Sequence, residues 1–506
     1  MSAIALPLVE GLPPTLTSLD AWRRLSKLPH CLFLDSALAH PQLGRYSYVM
    51  ADPFDWIEVP PDTPDPLQQL RTALSSCTSS NIPALPRFQG GAAGLLSYDL
   101  GRSLERLPRP AREPWPLPCL AMGMYDVVVA FDHATREAWL ISQGWSADHN
   151  ETSTQRHEQA ARRLSWFRDL LLKPNDDSDI SVSFFDGPTT RRQTSAAVEL
   201  GLGELQPMFP AGSSEYATRY SNFTHDSYCT AVQQAIDYIY AGDIFQVNLA
   251  QQLWIPAEVD SNTLYTHLRS ENSATFAGYF DLGEFQILSA SPERFIKVDD
   301  RHVETRPIKG TRPRRIGPEA DLFAGADLRH SGKDRAENVM IVDLMRNDLS
   351  RVCQADSVQV SQLCEIESYE YVQHLVSAVT GQLRQDQCSI DLLSCAFPGG
   401  SITGAPKIRA MEIIAEIEPH ARGAYCGSLG YINWDGSLDL SILIRTITAG
   451  RGWWQLPVGG GIVAQSQSER EYEETWHKAA GMLRGIDAAV RAKRHEPSVQ
   501  RNGSPC

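Results

Sequence analysis

The chain has 506 residues, of which 42% are hydrophobic and 21% charged, and a formal net charge of -15. Such a length supports more than one core or one large composite domain, and the composition is that of an ordinary globular protein. The acidic balance argues against a general nucleic-acid binder, which needs a basic face, and no apolar stretch approaches a transmembrane span. Ten cysteines are scattered without a C-x-x-C pair or zinc spacing, a usage that fits a reducing compartment. Met1 to Leu16 lacks a basic segment followed by an apolar core, so the expectation is a cytoplasmic protein with no membrane and no nucleic-acid partner.

In chain order, Phe33-Leu34, Tyr46 to Met50 and Tyr125 to Phe131 read as strands. Gln155 to Leu172 predicts an amphipathic helix, with Ala160, Leu164, Phe167 and Leu171 at helical spacing. Lys173 to Gly212 is rich in Asp, Ser, Thr and Pro and reads as a connection. His225 to Ala241 predicts a helix, followed by Gly242-Asp243 and a strand from Ile244 to Gln252. Tyr425 to Val463 predicts a meander of strands, with turns at Asp435-Gly436 and Gly450-Arg451-Gly452. Helices stand between strand groups rather than in strict alternation, which predicts an α+β fold. The organisation is a region over 1–150, a helix and polar connection over 151–220, the strongest signal over 221–490, and a polar, basic tail over 491–506 expected to be disordered.

Two acidic stretches stand out. Lys333-Asp334-Arg335-Ala336-Glu337 opens a helical pattern with Ser331 as a candidate cap. Glu471-Tyr472-Glu473-Glu474 opens the last helix, with Ser468 and Glu471 as a candidate capping box. Each puts two carboxylates three residues apart on one helix face. Asp334, Glu337, Glu471 and Glu474 could therefore hold a hard cation such as Mg²⁺. The same acids also fit a helix cap and surface ion pairs, Glu474 with Lys478 among them. Arg445 interrupts an apolar strand pattern, where a buried guanidinium needs an anion, supplied by a ligand or by a protein carboxylate. Gly459-Gly460-Gly461 follows a strand and reads as a turn, whose amides could cradle a carboxylate. Lys309 lies in a Pro-x-x-Gly frame that predicts a fixed turn, and a desolvated lysine there can be nucleophilic.

These segments, in this order, resemble the chorismate-utilising enzymes of the anthranilate synthase component I family. The matching stretches are GDIFQVNLAQ (Gly242 to Gln251), SASPERF (Ser289 to Phe295), ETRPIKGTRPR (Glu304 to Arg314) and DRAENVMIVDLMRNDL (Asp334 to Leu349). They continue with VQHLVSAVTG (Val372 to Gly381), PGGSITGAPKIRAME (Pro398 to Glu412), GAYCGSLGY (Gly423 to Tyr431) and GGGIVAQSQSEREYEET (Gly459 to Thr475). The match runs over nearly all of 221–490 and more loosely through LFLDS (Leu32 to Ser36), GRYSYVMADP (Gly44 to Pro53) and GGAAGLLSYDLG (Gly90 to Gly101).

The resemblance implies two orthogonally packed antiparallel sheets between helical layers, with residues 221–490 as the chorismate-binding catalytic part. It implies Mg²⁺ held by Glu337 and Glu474, supported by Asp334 and Glu471. It assigns Arg445, Tyr425 and the Gly459, Gly460 and Gly461 amides to a substrate carboxylate, with Ser401 and Lys478 as further contacts. Glu293 matches the general acid for the C4 hydroxyl and His374 a histidine beside it. Asp35 stands where anthranilate synthases usually carry Glu, which puts a tryptophan site in doubt. Within the family, Lys309 and the neutral Gln246 favour the aminodeoxychorismate synthase branch, with Thr403 agreeing; anthranilate synthase is the alternative. A neutral amide at Gln246 cannot deprotonate water, which favours ammonia as nucleophile. No stretch resembles a glutaminase, so the resemblance implies ammonia from a separate glutamine amidotransferase subunit, as a heterodimer.

Overall fold

The computed structural model describes residues 7–38, 43–77, 79, 81–148, 151–173, 205–207, 219–314, 325–368 and 372–495. Most of the expected connection over 173–212 and the tail from 496 lie outside the described residues.

The described strands form two sheets whose named pairings are all antiparallel. One runs, in spatial order, Leu8–Gly11, Glu137–Ser142, Val127–Asp132, Tyr46–Met50, Leu32–Asp35, Phe276–Asp281, Phe285–Ser291, Thr446–Gly450, Trp453–Ile462 and Gln246–Pro256, and ends in two short strands. The other runs Ile308–Pro313, Val372–Gln382, His302–Thr305, Arg294–Asp299, Leu438–Ile442, Ser428–Asn433, Gly91–Leu96, Leu120–Tyr125 and Asp55–Val59. Residues before 150 and after 220 contribute strands to both sheets.

The sequence of Val127–Asp132 shows how the layers form. Val127, Val129 and Phe131 enter a core shared with helices Ser18–Leu25, Ser153–Leu172, Ser261–Glu271 and Ser468–His495. Val128 and Ala130 point the other way, into a core with Ala93, Leu95 and Leu429 of the second sheet. A strand buried on both faces reads as a continuous apolar run rather than an alternation. A third core joins the second sheet to helices Gly332–Ser350 and Ser389–Ala396 and, with Gln246–Pro256 and Ile462 of the first sheet, to helices His225–Ala241 and Lys407–Ile417. The α+β class with two antiparallel sheets between helices is therefore as expected.

Several local readings change. Tyr125 to Phe131 is not one strand: the chain leaves one sheet at Tyr125 and enters the other at Val127. Asp126 at the crossing is buried and paired with Arg163 at 3.0 Å. The strand expected over Ile244 to Gln252 starts later and runs longer, as Gln246–Pro256. The meander after Tyr425 is split between the sheets, because the chain crosses over at Leu443–Arg445. Arg445 is thus outside the strands, with φ 51°. Gly459-Gly460-Gly461 is not a turn but lies within Trp453–Ile462, facing Ala250, Leu249 and Asn248 of the neighbouring strand. Lys309 is not in a turn either. It lies in the strand Ile308–Pro313, at an irregularity between Ile308 and Thr311, and Gly310 takes φ 80° there. Cys426, read as part of a strand, lies in the turn before Ser428–Asn433 with φ 64°. The last helix continues to His495, past the expected start of the tail.

Candidate active site

Two strand crossings create the centre of the site. The chain passes from Phe285–Ser291 in one sheet to Arg294–Asp299 in the other, and Glu293 lies in that passage. It passes back between Leu438–Ile442 and Thr446–Gly450, and Arg445 lies in that passage. The two corners are pinned together. Ala290 N donates to Arg445 O at 3.1 Å, Ile442 N to Glu293 O at 3.0 Å, and Ser291 Oγ to Ile442 O at 2.5 Å.

Glu293 is 5% exposed and accepts from Ser401 Oγ at 2.9 Å. Burial pushes its carboxyl above the usual range, against the pull of Lys309 and the Ser401 hydrogen bond. It is therefore suited to carry a proton at a pH where an exposed glutamate would not. Lys309 Nζ donates to the Ser401 carbonyl at 3.0 Å, so Ser401 holds both groups. Desolvation brings Lys309 below the usual lysine range, opposed by Glu337 and Glu293. The backbone reason for its position is the strand irregularity, which turns Lys309 out of the ladder toward Ser401.

Arg445 is partly buried where the chain changes sheets. Desolvation lowers its pKa and Glu293 opposes that shift. Among the described residues its guanidinium has no salt bridge, so the protein-carboxylate alternative is not realised. His374, on Val372–Gln382 opposite Thr311, is 3% exposed. Burial first and Arg445 second push it down to about 3, so it is neutral at physiological pH. Tyr425 is buried in the turn before Ser428–Asn433, and Cys426 N pins that turn to Leu443 O at 2.8 Å.

The acidic half comes from two helix starts. Ser331 caps Gly332–Ser350 by accepting from Asp334 N at 3.3 Å. Glu337 lies one turn on. Its Oε1 is buried and has no hydrogen-bond partner among the described residues. Burial raises its pKa, against Lys309 and Lys333. Glu471 is buried, and its Oε1 accepts from Ser466 Oγ at 2.6 Å and Lys333 Nζ at 3.2 Å. The capping box expected for Ser468 and Glu471 is replaced by this arrangement, with Ser468 already inside the helix. Glu474 pairs with Lys478 at 2.7 Å, and Lys478 also donates to Gly459 O at 2.9 Å. Partial desolvation would raise Glu474, but Lys478, with Lys333 and Lys309, outweighs it and the net shift is downward.

Asp334 lies near Glu337, whose carboxyl its charge helps to raise. It also faces Arg312 at 3.3 Å, which ties it to the strand that carries Lys309. Lys333 has no role in the sequence reading, yet its ammonium lies 3.2 Å from Glu471 and 3.9 Å from Glu337. Its i,i+4 spacing to Glu337 is the available signal. A cation centred among these acids is thus already favoured by the charge distribution. An orphaned carboxylate oxygen beside two further carboxylates fits a hard, oxygen-binding ion.

The glycine strand joins the two halves. A Cβ at Gly460 would lie 3.4 Å from Lys478 Nζ, 3.5 Å from Glu474 Oε1 and 3.7 Å from Glu471 Oε2. One at Gly461 would meet Gln246 Nε2 at 2.1 Å and Glu337 Oε2 at 3.7 Å. Gln246 is buried, and its Oε1 has no hydrogen-bond partner among the described residues. Thr403, two residues after Ser401, is buried and bonds Gly399 O at 3.1 Å. Asp35 is not part of this site. It is buried and engaged by Arg269 and by Tyr265 at 3.2 Å.

A buried acid beside a guanidinium, a desolvated lysine and a carboxylate cluster gather where the two sheets exchange strands, an arrangement suited to a small anionic substrate. The chain belongs to the chorismate binding enzyme family, whose signature matches residues 42–484. It is 38% identical to aminodeoxychorismate synthase component 1 of Escherichia coli (strain K12), over 92% of this chain and 95% of that one. It is also 38% identical to anthranilate synthase component 1 of Thermus thermophilus, over 85% of this chain and 84% of that one. Among solved structures, anthranilate synthase component I from Streptococcus pneumoniae TIGR4 matches with TM-score 0.70 and 28% identity, covering 88% of this chain and 93% of that one. MenF, the menaquinone-specific isochorismate synthase from Escherichia coli, shares the fold with TM-score 0.67 at 18% identity, covering 96% of each chain. The chain is therefore a chorismate-utilising enzyme. Among the described residues no helix is long and apolar enough to cross a membrane.

Proposed function

We propose that the chain is an aminodeoxychorismate synthase component I, which converts chorismate and ammonia to 4-amino-4-deoxychorismate for 4-aminobenzoate and folate synthesis. The observation that carries the reading is Lys309, desolvated, fixed on Ser401 O and flanked by Glu293. In this reading Arg445 takes one substrate carboxylate, aided by Tyr425 and the glycine strand. Glu337 and Glu474 would hold Mg²⁺ for the other, supported by Asp334 and by Glu471 through Ser466 and Lys333. When bound, that ion neutralises charge on the ring carboxylate.

The uncharged Lys309 amine attacks C2 as the double bond shifts and the C4–O bond breaks. Glu293 gives its proton to the departing hydroxyl, which leaves as water, and His374 lies beside it as a neutral imidazole. The amine gives up its own extra proton, which restores Glu293. Glu293 then returns its proton to the adduct nitrogen, ammonia attacks C4, and the double bond shifts back. Lys309 leaves C2 as a neutral amine with the C–N electron pair, and the new C4 ammonium passes its extra proton back to Glu293. Two displacements replace one hindered substitution. Gln246, being an amide, does not activate water in competition. Ammonia comes from a glutamine amidotransferase subunit in a heterodimer. The reaction sequence uses soluble substrates, consistent with a cytoplasmic location.

Anthranilate synthesis is the second reading, favoured by the equally identical relative from Thermus thermophilus. Incubation of the purified chain with chorismate, Mg²⁺ and ammonium separates the two by product mass and NMR. The expected product is 4-amino-4-deoxychorismate. Anthranilate with release of pyruvate would establish the alternative. Glutamine should replace ammonium only after a partner amidotransferase is added.

A further inference from the structure

Outside the catalytic cleft, helix His225–Ala241 and the last helix bring a second set of ligand-bearing side chains together. His225 and Cys229 are one turn apart on the first helix, and Glu469 lies in the first turn of the second. One ligand atom from each falls within 4.8 Å of the other two. His225 Nε2 is 2.8 Å from Glu469 Oε2, and Cys229 Sγ is 3.9 Å from both His225 Nε2 and Glu469 Oε1. A tetrahedral zinc site with ordinary bond lengths separates its ligand atoms by about 3.3–3.6 Å. These side chains are within a rotamer adjustment of that geometry.

The orientation of the imidazole supports the same conclusion. His225 Nδ1 contacts Asp226 Oδ1 at 2.9 Å, which leaves Nε2 directed at Glu469 and Cys229. A histidine held at one nitrogen by a carboxylate is the arrangement that fixes a metal-binding tautomer. Its ring also meets the edge of Tyr472 at 4.8 Å, which limits its rotation. The ligand set of one thiolate, one imidazole and one carboxylate selects a borderline ion such as Zn²⁺ over Mg²⁺. Water would complete the coordination at this exposed edge.

We propose that His225, Cys229 and Glu469 form a binding site for a single borderline divalent cation of the zinc class, separate from the carboxylate cluster of the catalytic cleft. On binding, the Cys229 thiol releases its proton to solvent and the sulfur binds as thiolate. No redox change is involved. The ion joins helix His225–Ala241 to the turn that leads into Glu471, and so braces one wall of the cleft.

Cobalt(II) is the probe, because a thiolate ligand gives it an intense near-ultraviolet charge-transfer band that oxygen ligands do not. The full reduced chain is stripped with chelator and titrated with Co²⁺. The expected result is a band that saturates at one equivalent and is displaced by Zn²⁺ but not by excess Mg²⁺. The band should disappear in Cys229→Ser, weaken at least tenfold in affinity in His225→Ala, and persist in Glu337→Gln. No band in the wild-type chain overturns the site. A band that survives Cys229→Ser also overturns it, since another cysteine would then be the ligand.

Discussion

Lys309 carries the proposed chemistry, and its environment sets a pH signature. An ammonium surrounded by protein loses hydration, and the neighbouring Glu337 and Glu293 only partly compensate, so its pKa falls below that of an exposed lysine. The amine is a nucleophile only above its own pKa. Aminodeoxychorismate formation should therefore rise with pH through a value below the ordinary lysine range. Lys309→Ala should keep chorismate affinity within about threefold and lower product formation by about 100-fold or more, as loss of covalent catalysis does. Isothermal titration and single-turnover assays separate these effects; wild-type turnover in the alanine variant would reduce Lys309 to a fixed charge. Arg445 makes the opposite prediction. Its guanidinium has no protein salt bridge among the described residues, and the proposed reading makes a substrate carboxylate its partner. A charge-assisted hydrogen bond is worth about 1.5–3 kcal/mol, so Arg445→Gln should weaken chorismate binding by about 10- to 150-fold. An unchanged Kd would remove Arg445 from the carboxylate site.

At the scale of elements, the three consecutive glycines do different work despite identical chemistry. A Cβ on Gly459 would lie 2.3 Å from Leu249 O and 2.7 Å from Ala250 Cα, so the backbone of the neighbouring strand must move. Gly459→Ala should cost about 1–3 kcal/mol of stability, the usual penalty of overpacking. The nearest neighbours of a Cβ on Gly460 are Lys478, Glu474 and Glu471, all at ordinary contact distance. Gly460→Ala should change stability by less than about 0.5–1 kcal/mol yet raise KM for chorismate, because the methyl enters the cleft beside the carboxylates. Urea titration and steady-state assays on the pair test this; equal destabilisation by both would contradict it. The same stretch shows what a sequence can convey. The helices at His225, Gly332 and Ser468 are legible because caps and acids mark a helix start locally. The glycine run reads as a turn because its pairing partner is about 200 residues away in the chain, and nothing local records it. Lys309 likewise reads as a turn residue, since Pro307 and Gly310 are turn formers, whereas the irregular pairing with Val372–Gln382 decides its direction. Arg445 reads as a strand residue because an apolar run does not reveal where a chain changes sheets. Lys333 signals only its i,i+4 pairing with Glu337, and Ser466 gives no local signal, because their contacts to Glu471 in the last helix are made across the chain.

At the scale of the molecule, the first 150 residues and the segment after 220 are two parts of one folded body. Phe276–Asp281 has Leu32–Asp35 as one neighbour, and Ser428–Asn433 has Gly91–Leu96. Removing the first part would leave both strands with an open edge in the middle of their sheets. The core between the sheets would be halved as well, since Phe88, Ala93, Leu95, Ala121 and Tyr125 pack there with Leu429, Tyr431 and Trp453. Open hydrophobic edges pair with other chains, so residues 221–495 expressed alone should aggregate rather than fold. The intact chain should unfold in one transition, with tryptophan fluorescence and far-ultraviolet circular dichroism reporting the same midpoint. Trp22, Trp254 and Trp454 are fully buried and drawn from both parts, so the fluorescence samples the whole body. Two separated transitions, or a soluble fragment with native-like dichroism that binds chorismate, would show that the catalytic part stands alone. The corners bearing Glu293 and Arg445 make that outcome demanding. They are held where the two sheets exchange strands, and each sheet reaches its full width only with the strands from the first 150 residues.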